Sequence, residues 1–427
     1  MTAQAESPNR EHGPAPSGYD VATVRAAYPA LADGWAYLDG AAGTQVPATV
    51  IAAESAAYAA GIGNHGGAFA ASHRSMALTA AARAAIADLV GAPDPDGVVL
   101  GPSMTALTYR FAEGLGKTWR TGDEIVLTRL DHDANVRPWL QAAQRAEVTV
   151  RWADPVLPEL ELPAEAVTRL IGPRTRLVAV TAASNVVGTR PDVAAISRAA
   201  HEVGALCYVD GVHNTPHGPV DVVALGADLY ATSSYKWSGP HLAAVVGTVD
   251  LLASIHPDKL ASSPDEVPWR YERGTHPMAQ HAGVAAAVDH LAGLAPSAQR
   301  SAQPPAGRRG RILASMSAVA GHEQAMFARM LQGLADLPAV QRIGRPTGGA
   351  PTAWFRVAGH TPDEVADGCA RAGVNVWSGH NYAWELAGFL GIRDTGSAVR
   401  ASISCYTNGS DVDRLLQALA DLGRARA

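Results

Sequence analysis

Short apolar runs and longer helical stretches alternate along most of the chain. Beyond about Asp39, helical candidates include residues 49–60 and 76–90. The intervening runs are rich in Val, Leu and Ile and mostly end at turn residues; they lie at 97–100, 124–128, 148–152, 176–181, 205–209 and 229–233. This alternation is typical of a mostly parallel sheet covered by helices on both faces. We therefore predict an α/β fold whose ligand lies beyond the carboxyl ends of the strands.

The last third of the chain follows a different pattern. Residues 295–311 are rich in Pro, Ser and Arg, which predicts an exposed loop or insertion. Apolar spacing predicts a long helix over residues 312–337. Strand-like segments then alternate with helical ones, at 353–357, 362–372, 399–404 and 411–422. This part is predicted to be a smaller α+β domain.

Composition limits the class of protein. Of the 427 residues, 47% are hydrophobic and 17% are charged, which favours a folded chain with a sizeable core. The net charge of −6 and the absence of a basic stripe argue against a nucleic-acid partner. No apolar run is long enough to span a membrane. Three widely spaced cysteines, Cys207, Cys369 and Cys405, are typical of reduced thiols in a cytoplasmic enzyme.

Two patterns imitate binding motifs. Residues 61–66 read GIGNHG and match a dinucleotide-binding loop, but they follow a helical stretch where that motif requires a strand. His213 and His217 have the spacing of metal ligands on a helix, but Pro216 and Pro219 break any helix there. We predict a turn at the first pattern and no metal site at the second.

Only three lysines occur in the chain: Lys117, Lys236 and Lys259. Lys236 stands among hydroxyl residues at the end of a buried strand, where an unpaired ammonium would be costly. This position indicates a neutral amine or a Schiff base. Asp210 ends another buried run 26 residues upstream. Beside a Schiff-base lysine, such an aspartate can keep a pyridinium nitrogen protonated.

These two residues belong to a longer series of motifs. The series runs YLDGAA at 37–42, DHDAN at 131–135, TAASNVVG at 181–188, VDGVH at 209–213, SSYKWSGP at 233–240 and VRASIS at 399–404. In this order the motifs resemble the fold-type I, class V pyridoxal-phosphate enzymes, above all the cysteine desulfurases and desulfurase-like proteins, alongside isopenicillin N epimerase-like enzymes. The resemblance implies pyridoxal 5′-phosphate as cofactor. It also implies a mostly parallel, seven-stranded-type large domain and a smaller α+β C-terminal domain.

The resemblance and the pattern together predict a division of the chain into four parts. These are a flexible tail over 1–20, an N-terminal segment over 21–40 that packs near the small domain, a large cofactor-binding domain over 41–310 and a small domain over 311–427.

The resemblance also implies the cofactor contacts. Lys236 would carry the cofactor, Asp210 would hold its ring nitrogen, and His132 would stack on its ring; these are the predicted catalytic residues. Asn185 and His213 would contact the phenolic oxygen, although the family usually has a glutamine at the second position. The phosphate would be bound by Ser103, Met104 and Thr105 at a helix N-terminus, by Ser233 and Tyr235, and by Thr275 of a neighbouring subunit. The last contact implies a homodimer with shared active sites, whereas Ser103 alone could equally be a helix N-cap.

The substrate side departs from the desulfurase pattern. The resemblance implies that Arg400 binds the carboxylate of a small amino-acid substrate, with Ala41 and Asn185 beside it. Tyr382 stands where a desulfurase has its nucleophilic cysteine. Tyr382 either lines the pocket or acts as an acid. The cysteines of this chain lie elsewhere, so we expect no persulfide chemistry.

Three functions follow from this reading. The first is β-elimination from a cysteine S-conjugate, which releases a thiol and yields pyruvate and ammonia, in a C–S lyase of specialised metabolism. The second is transamination, epimerisation or decarboxylative oxidative deamination of an amino acid. The third is a non-catalytic homologue, which the presence of both Asp210 and Lys236 argues against.

Overall fold

The computed structural model describes residues 19–295 and 307–424. Within these ranges the strands are β1 (Ala36–Tyr37), β2 (Val98–Gly101), β3 (Glu124–Thr128), β4 (Thr149–Ala153), β5 (Thr175–Thr181), β6 (Leu206–Asp210), β7 (Leu229–Ser233), β8 (Ala243–Gly247), β9 (Val340–Ile343), β10 (Thr352–Val357), β11 (Val374–Asn375), β12 (Trp377–Gly379) and β13 (Ala398–Ser402). The helices are α1 (Val21–Ala26), α2 (Ala48–Ala60), α3 (Ala70–Val90), α4 (Met104–Gly116), α5 (Arg137–Arg145), α6 (Ala164–Thr168), α7 (Val193–Glu202), α8 (Val249–Ser254), α9 (Met278–Ala292), α10 (Gly307–Ala335), α11 (Pro362–Arg371), α12 (Trp384–Phe389) and α13 (Gly409–Arg424). Short 3-10 turns include Asp133–Asn135 and Ser234–Lys236.

The central sheet has seven strands in the order β2–β8–β7–β6–β5–β3–β4. Strands β3 to β7 pair in parallel, whereas β8 runs antiparallel to both of its neighbours. The register sets Thr181 of β5 beside Asp210 of β6. Because parallel strands end at one edge of a sheet, the residues that follow β3, β5, β6 and β7 are brought together there.

Both faces of this sheet are buried, which explains the continuous apolar runs of its strands. Along β5, Val178 packs into a cluster with residues of α3 and α9, whereas Leu177 and Ala179 pack into a second cluster with residues of α4 and α5. Successive side chains of a strand point to opposite faces, so one apolar run supplies both clusters.

The C-terminal part builds a separate antiparallel sheet in the order β12–β13–β10–β9. Its hydrophobic cluster includes Phe355, Val399 and Leu415, from two strands and from α13. The N-terminal segment joins this part, since β1 pairs in parallel with β11 and Leu38 lies in the same cluster. The four-part division of the chain stays a prediction.

The predicted α/β architecture is confirmed, and most predicted elements agree with the observed ones within a few residues. Strand β8 was not predicted, because only its last residue Gly247 and the N-cap Thr248 separate its apolar residues from those of α8, so the two elements read as one stretch. The predicted loop over 295–311 is wrong at its end, where α10 already begins at Gly307. Residues 296–306 and residues 1–18 of the predicted tail lie outside the described ranges. No helix within the described ranges is long and apolar enough to cross a membrane.

Candidate active site

A pocket at the carboxyl ends of β5, β6 and β7 collects the predicted cofactor residues. It is lined by Ser103, Met104, Thr105, His132, Ala134, Thr181, Ala183, Asn185, Asp210, Val212, His213, Ser233, Tyr235 and Lys236. A second cavity of about 430 Å³ adjoins it and shares four of these residues; it is lined by Ala41, Ala42, His132, Asn185, Tyr235, Lys236, Trp377, Ser378, Gly379, His380, Asn381, Tyr382 and Arg400. The two spaces meet at Lys236, so one amine can reach a ligand in either.

Lys236 is buried at the end of the short turn that follows β7. Its Nζ donates a hydrogen bond to the backbone carbonyl of Ala41. Burial lowers the pKa of Lys236 to about 7, and the positive charge of Arg400 adds to this, whereas Asp210 opposes it. A large neutral fraction at neutral pH makes this amine a competent nucleophile and base.

Asp210 is the last residue of β6 and is buried. The backbone N–H of Val212 donates to its Oδ1 at 2.9 Å. Burial raises the pKa of Asp210 to about 6, against that hydrogen bond and the charge of Lys236. The carboxylate is therefore mainly ionised at neutral pH and can accept a hydrogen bond from a protonated ring nitrogen.

His132 begins the short turn after β3, where its Nδ1 accepts a hydrogen bond from the backbone N–H of Ala134 at 3.0 Å. The ring also stacks on Tyr382, with centroids 5.0 Å apart and planes 26° apart. Burial lowers the pKa of His132 to about 3, with further lowering by Lys236 and Arg400. The imidazole is thus neutral, and its flat face is available for stacking.

Hydrogen bonds between buried polar groups hold the loop that carries His132. Thr128 donates to Asp131, and Nδ2 of Asn135 donates to Oδ1 of Asp131 at 2.7 Å. Trp139 donates in turn to Oδ1 of Asn135 at 3.0 Å. Burial raises the pKa of Asp131 to about 8. No local pattern in the sequence marks Asp131, Asn135 and Trp139 as supports of this loop.

Asn185 and His213 each leave one buried polar atom without a partner. Nδ2 of Asn185 donates to the carbonyl of Asn381 at 2.7 Å, whereas its Oδ1 is unpaired. Nε2 of His213 lies 2.9 Å from Oγ1 of Thr352, whereas its Nδ1 is unpaired. Buried polar atoms are rarely left unpaired. Both residues line the first pocket, so the pair fits a polar ligand atom bound between them, as the predicted phenolic oxygen requires.

Three of the residues predicted to bind the phosphate lie at the start of α4. Ser103 is its N-cap, and Oγ of Ser103 accepts from the backbone N–H of Ala106 at 3.1 Å. The N-cap role left open in the sequence is therefore real, and the pocket-lining positions Met104 and Thr105 follow it. Thr275 does not line this pocket within its own chain; it lines another cavity beside Gly101. Its contact with a second subunit stays a prediction.

Arg400 lies in β13 and is almost fully buried at the second cavity. Its Nη1 donates to the carbonyl of Asn185 at 3.1 Å, and its Nε is unpaired. Burial lowers the pKa of Arg400 to about 10, against the nearby carboxyl of Asp39. A buried guanidinium with a free N–H fits a carboxylate ligand.

The cysteines are absent from both spaces. Cys207, Cys369 and Cys405 are all buried and free. Burial raises the pKa of these thiols to about 12, 11 and 12, respectively. None of them fits a thiolate nucleophile. The described residues also hold no group of three or more His, Cys, Asp or Glu that could bind a metal ion.

The chain is similar to known proteins in both sequence and structure, and these similarities identify its family. The sequence profile described as aminotransferase class-V matches residues 36–306 and 311–415. An uncharacterized protein of Mycobacterium tuberculosis is 35% identical over 409 residues, which cover 95% of this chain and 100% of that protein. A probable cysteine desulfurase of Pseudomonas putida is 31% identical over 426 residues, with coverages of 92% and 96%. The crystal structure of the cysteine desulfurase CsdA from Escherichia coli matches with a TM-score of 0.82 and 29% identity, over 96% of this chain and 99% of that one.

The profile match spans both sheets, and the relatives align over nearly the whole chain. These findings confirm the predicted resemblance, the fold-type I architecture and pyridoxal 5′-phosphate as the cofactor. The roles of individual residues in the pocket stay proposals. The chain belongs to the class-V aminotransferase family, which comprises pyridoxal-phosphate-dependent enzymes that act on amino acids.

Proposed function

We propose that this enzyme is a C–S lyase that eliminates a thiol from a cysteine S-conjugate. The observation that carries the proposal is that the predicted cofactor residues other than Thr275 line one pocket, whereas the adjoining cavity has Tyr382 at the position where the resemblance to desulfurases implies a nucleophilic cysteine. Water and the conjugate would give the thiol, pyruvate and ammonia, so no oxidant or reductant is needed.

The residues of the two spaces divide this work. Arg400 would bind the substrate carboxylate through its fork of N–H groups, and Asp210 would hold the proton on the ring nitrogen. Bound pyridoxal phosphate withdraws electrons from Cα of the attached amino acid. Lys236, with its pKa lowered to about 7, would take the proton from Cα as a neutral amine. Loss of that proton allows the Cβ–S bond to break, and the sulfur leaves with the electron pair.

His132 and the two unpaired atoms, Oδ1 of Asn185 and Nδ1 of His213, are compatible with a cofactor bound in this pocket. The neutral ring of His132 would cover one face of the cofactor ring and keep water from it. Asn185 and His213 would hold the phenolic oxygen, and the start of α4 with Ser233 and Tyr235 would hold the phosphate.

Several relatives are named cysteine desulfurase, which would imply transfer of sulfur to an enzyme cysteine. Such transfer needs a thiolate beside the sulfur of the substrate. All three thiols of this chain are buried outside both spaces, and their pKa values are raised. We therefore favour elimination over sulfur transfer.

The test is product analysis on a panel of S-substituted L-cysteines, L-cysteine and ordinary amino acids. We expect equal amounts of thiol, pyruvate and ammonia from at least one conjugate, and none from the Lys236→Ala variant. Alanine from L-cysteine would show desulfuration instead. A keto acid with the side chain intact would indicate transamination, a D-amino acid epimerisation, and carbon dioxide with an aldehyde decarboxylative deamination. A protein that forms no visible absorbance band with the cofactor would support the non-catalytic alternative.

We further propose that the enzyme is a homodimer in the cytoplasm. Thr275 lies outside the pocket of its own chain, which is compatible with a contact to the phosphate of a partner. Three thiols without a disulfide fit a reducing compartment. Size-exclusion chromatography with light scattering tests the dimer, and loss of cofactor affinity in Thr275→Ala tests the shared site.

A further inference from the structure

We propose that the second cavity selects conjugates whose sulfur carries a flat, uncharged aromatic ring, and that Tyr382 and Trp377 contact that ring. The proposal rests on the proposed C–S lyase function, of which it names the substrate class. It is carried by the room in the cavity, the chemistry of its walls and the rigidity of the loop.

The cavity has more room than cysteine needs. Its volume of about 430 Å³ falls in the range of sites that bind whole small molecules. Arg400 and Lys236 lie together at one wall, where they can bind the carboxylate and the amine of an amino acid. The loop over residues 377–382 lines the same cavity and begins beside Arg400, because Trp377 is the cross-strand partner of Arg400. A substrate fixed there by its carboxylate and amine would share the cavity with this loop, so its sulfur substituent lies within reach of the loop side chains.

The walls of the cavity favour an uncharged ring. Trp377 and Tyr382 are 52% and 64% exposed, although both are large aromatic residues. Exposed aromatic side chains at a cavity are typical anchors for apolar ligand groups. The lining residues include no carboxylate that could pair with a second ammonium group, whereas Arg400 adds positive charge. Conjugates with a cationic substituent are therefore disfavoured.

The loop holds the backbone of Tyr382 in one conformation. Asn381 and Tyr382 have φ angles of 49° and 60°, a left-handed conformation that is unusual for residues with a side chain. Three hydrogen bonds maintain this conformation. Nδ2 of Asn185 donates to the carbonyl of Asn381 at 2.7 Å, and the backbone N–H of Asp133 donates to the carbonyl of Tyr382 at 2.8 Å. The N–H of Tyr382 donates to Nδ1 of His380 at 3.0 Å. Strained residues kept in place by their surroundings are common at binding sites.

The position of this ring ties it to the chemistry. Tyr382 stacks on His132, whose ring also lines the cofactor pocket. This stacking restrains the ring of Tyr382, and a side chain that is already restrained loses little conformational freedom when a ligand binds. An aromatic substituent on the sulfur would thus meet a preformed aromatic surface close to the bond that breaks.

The first experiment compares kcat/KM for S-phenyl-L-cysteine and S-methyl-L-cysteine. We expect the wild type to favour the phenyl conjugate about tenfold and Tyr382→Ala to lose most of that ratio. Tyr382→Phe is expected to keep the ratio, which separates a contact surface from an acid. Tyr58→Ala is the matched control, because Tyr58 is also 64% exposed but lines neither space. An unchanged ratio in both Tyr382→Ala and Trp377→Ala would overturn the proposal.

A second experiment separates failure of this proposal from failure of the C–S lyase function. L-Homophenylalanine and L-norvaline have the shapes of the two conjugates but carry no leaving group. Their dissociation constants are measured from the change in cofactor absorbance. Tighter binding of homophenylalanine, lost in Tyr382→Ala, supports the aromatic site even if no conjugate is cleaved. Equal affinities in the wild type would refute it even if elimination occurs.

Discussion

Oγ1 of Thr352 lies 2.9 Å from Nε2 of His213 and links β10 of the small sheet to the cofactor pocket. Both residues are buried, and Nδ1 of the same imidazole is unpaired. Burial holds the pKa of His213 well below its usual range, and His217 and Lys236 lower it further. The ring is therefore neutral and carries one N–H. If the hydroxyl of Thr352 donates its hydrogen bond to Nε2, the N–H of the ring lies on Nδ1, from which it can donate to the phenolic oxygen.

We expect Thr352→Val to raise the pH at which the visible band of the lysine-bound cofactor titrates. A donor to the phenolic oxygen stabilises its anionic form, so weakening the donor raises the pKa of the bound Schiff base. The expected shift is about 0.5–1 pH unit, the size of one ordinary hydrogen bond. Absorbance is recorded against pH.

Thr352→Ser keeps the hydroxyl and is expected to titrate like the wild type. His213→Leu removes the donor and should shift the titration at least as far as Thr352→Val. In the His213→Leu background, the valine substitution is expected to have no further effect. A second shift of equal size there would show that Thr352 acts by another route.

The pKa of Lys236 predicts how fast the apoenzyme captures its cofactor. Only the neutral amine attacks the aldehyde carbon of pyridoxal phosphate. Since the pKa of Lys236 is lowered to about 7, the rate should rise with pH around that value and level off above it. Stopped-flow absorbance of the apoenzyme mixed with cofactor measures this rate.

Two substitutions should move this midpoint in opposite directions. Arg400→Met removes a positive neighbour and is expected to raise the midpoint, whereas Asp210→Asn removes a negative one and is expected to lower it. Arg174→Met is a control, because that arginine pairs with Glu124 at the far end of β3. If the midpoint moved in the same direction in both active-site variants, neighbouring charges would not explain the lowered pKa of Lys236.

The residues at the ends of the central strands could be predicted from the sequence, whereas the contacts that the C-terminal part makes with them could not. Asp210 ends β6 and Lys236 lies in the turn directly after β7, and a charged residue at or just after the end of an apolar run can be recognised locally. Thr352 contacts His213 across 139 positions of the chain, and Asn185 contacts Asn381 across 196. Neither contact leaves a periodic pattern. The left-handed backbone at Tyr382 was equally hidden, because no glycine marks it.

Gly188 is expected to be essential for stability where the two sheets meet. Its φ is +78°, and a Cβ there would lie 2.2 Å from the carbonyl oxygen of Ala350. Gly188→Ala adds left-handed strain and a backbone clash beside the hydrogen bond from the N–H of Ala350 to the carbonyl of Gly188. We expect the free energy of unfolding to fall by about 2–4 kcal/mol. Thermal unfolding followed by circular dichroism measures the change as a lower Tm.

Gly172→Ala is the matched control, because a Cβ at Gly172 meets nothing within 4 Å and its backbone is not left-handed. Its Tm should stay within about a degree of the wild type. Equal Tm values for Gly188→Ala and the wild type would show that the segments around Gly188 and Ala350 can move apart without lowering the free energy of unfolding.

Removing every cysteine tests the chemistry directly. We expect the triple variant Cys207→Ala, Cys369→Ala, Cys405→Ala to release thiol and pyruvate within about threefold of the wild type, because no thiol lines either space. Some loss of stability is expected, since each substitution removes a buried sulfur and that of Cys405 lies 3.4 Å from the hydroxyl of Tyr28. The Tm of each single variant is therefore measured as well, so that a loss of folding can be told apart from a loss of activity. Iodoacetamide treatment of the native wild type gives an independent measurement, because buried thiols with raised pKa values react slowly. A folded triple variant that keeps the visible cofactor band but releases no thiol would instead require a cysteine in the reaction.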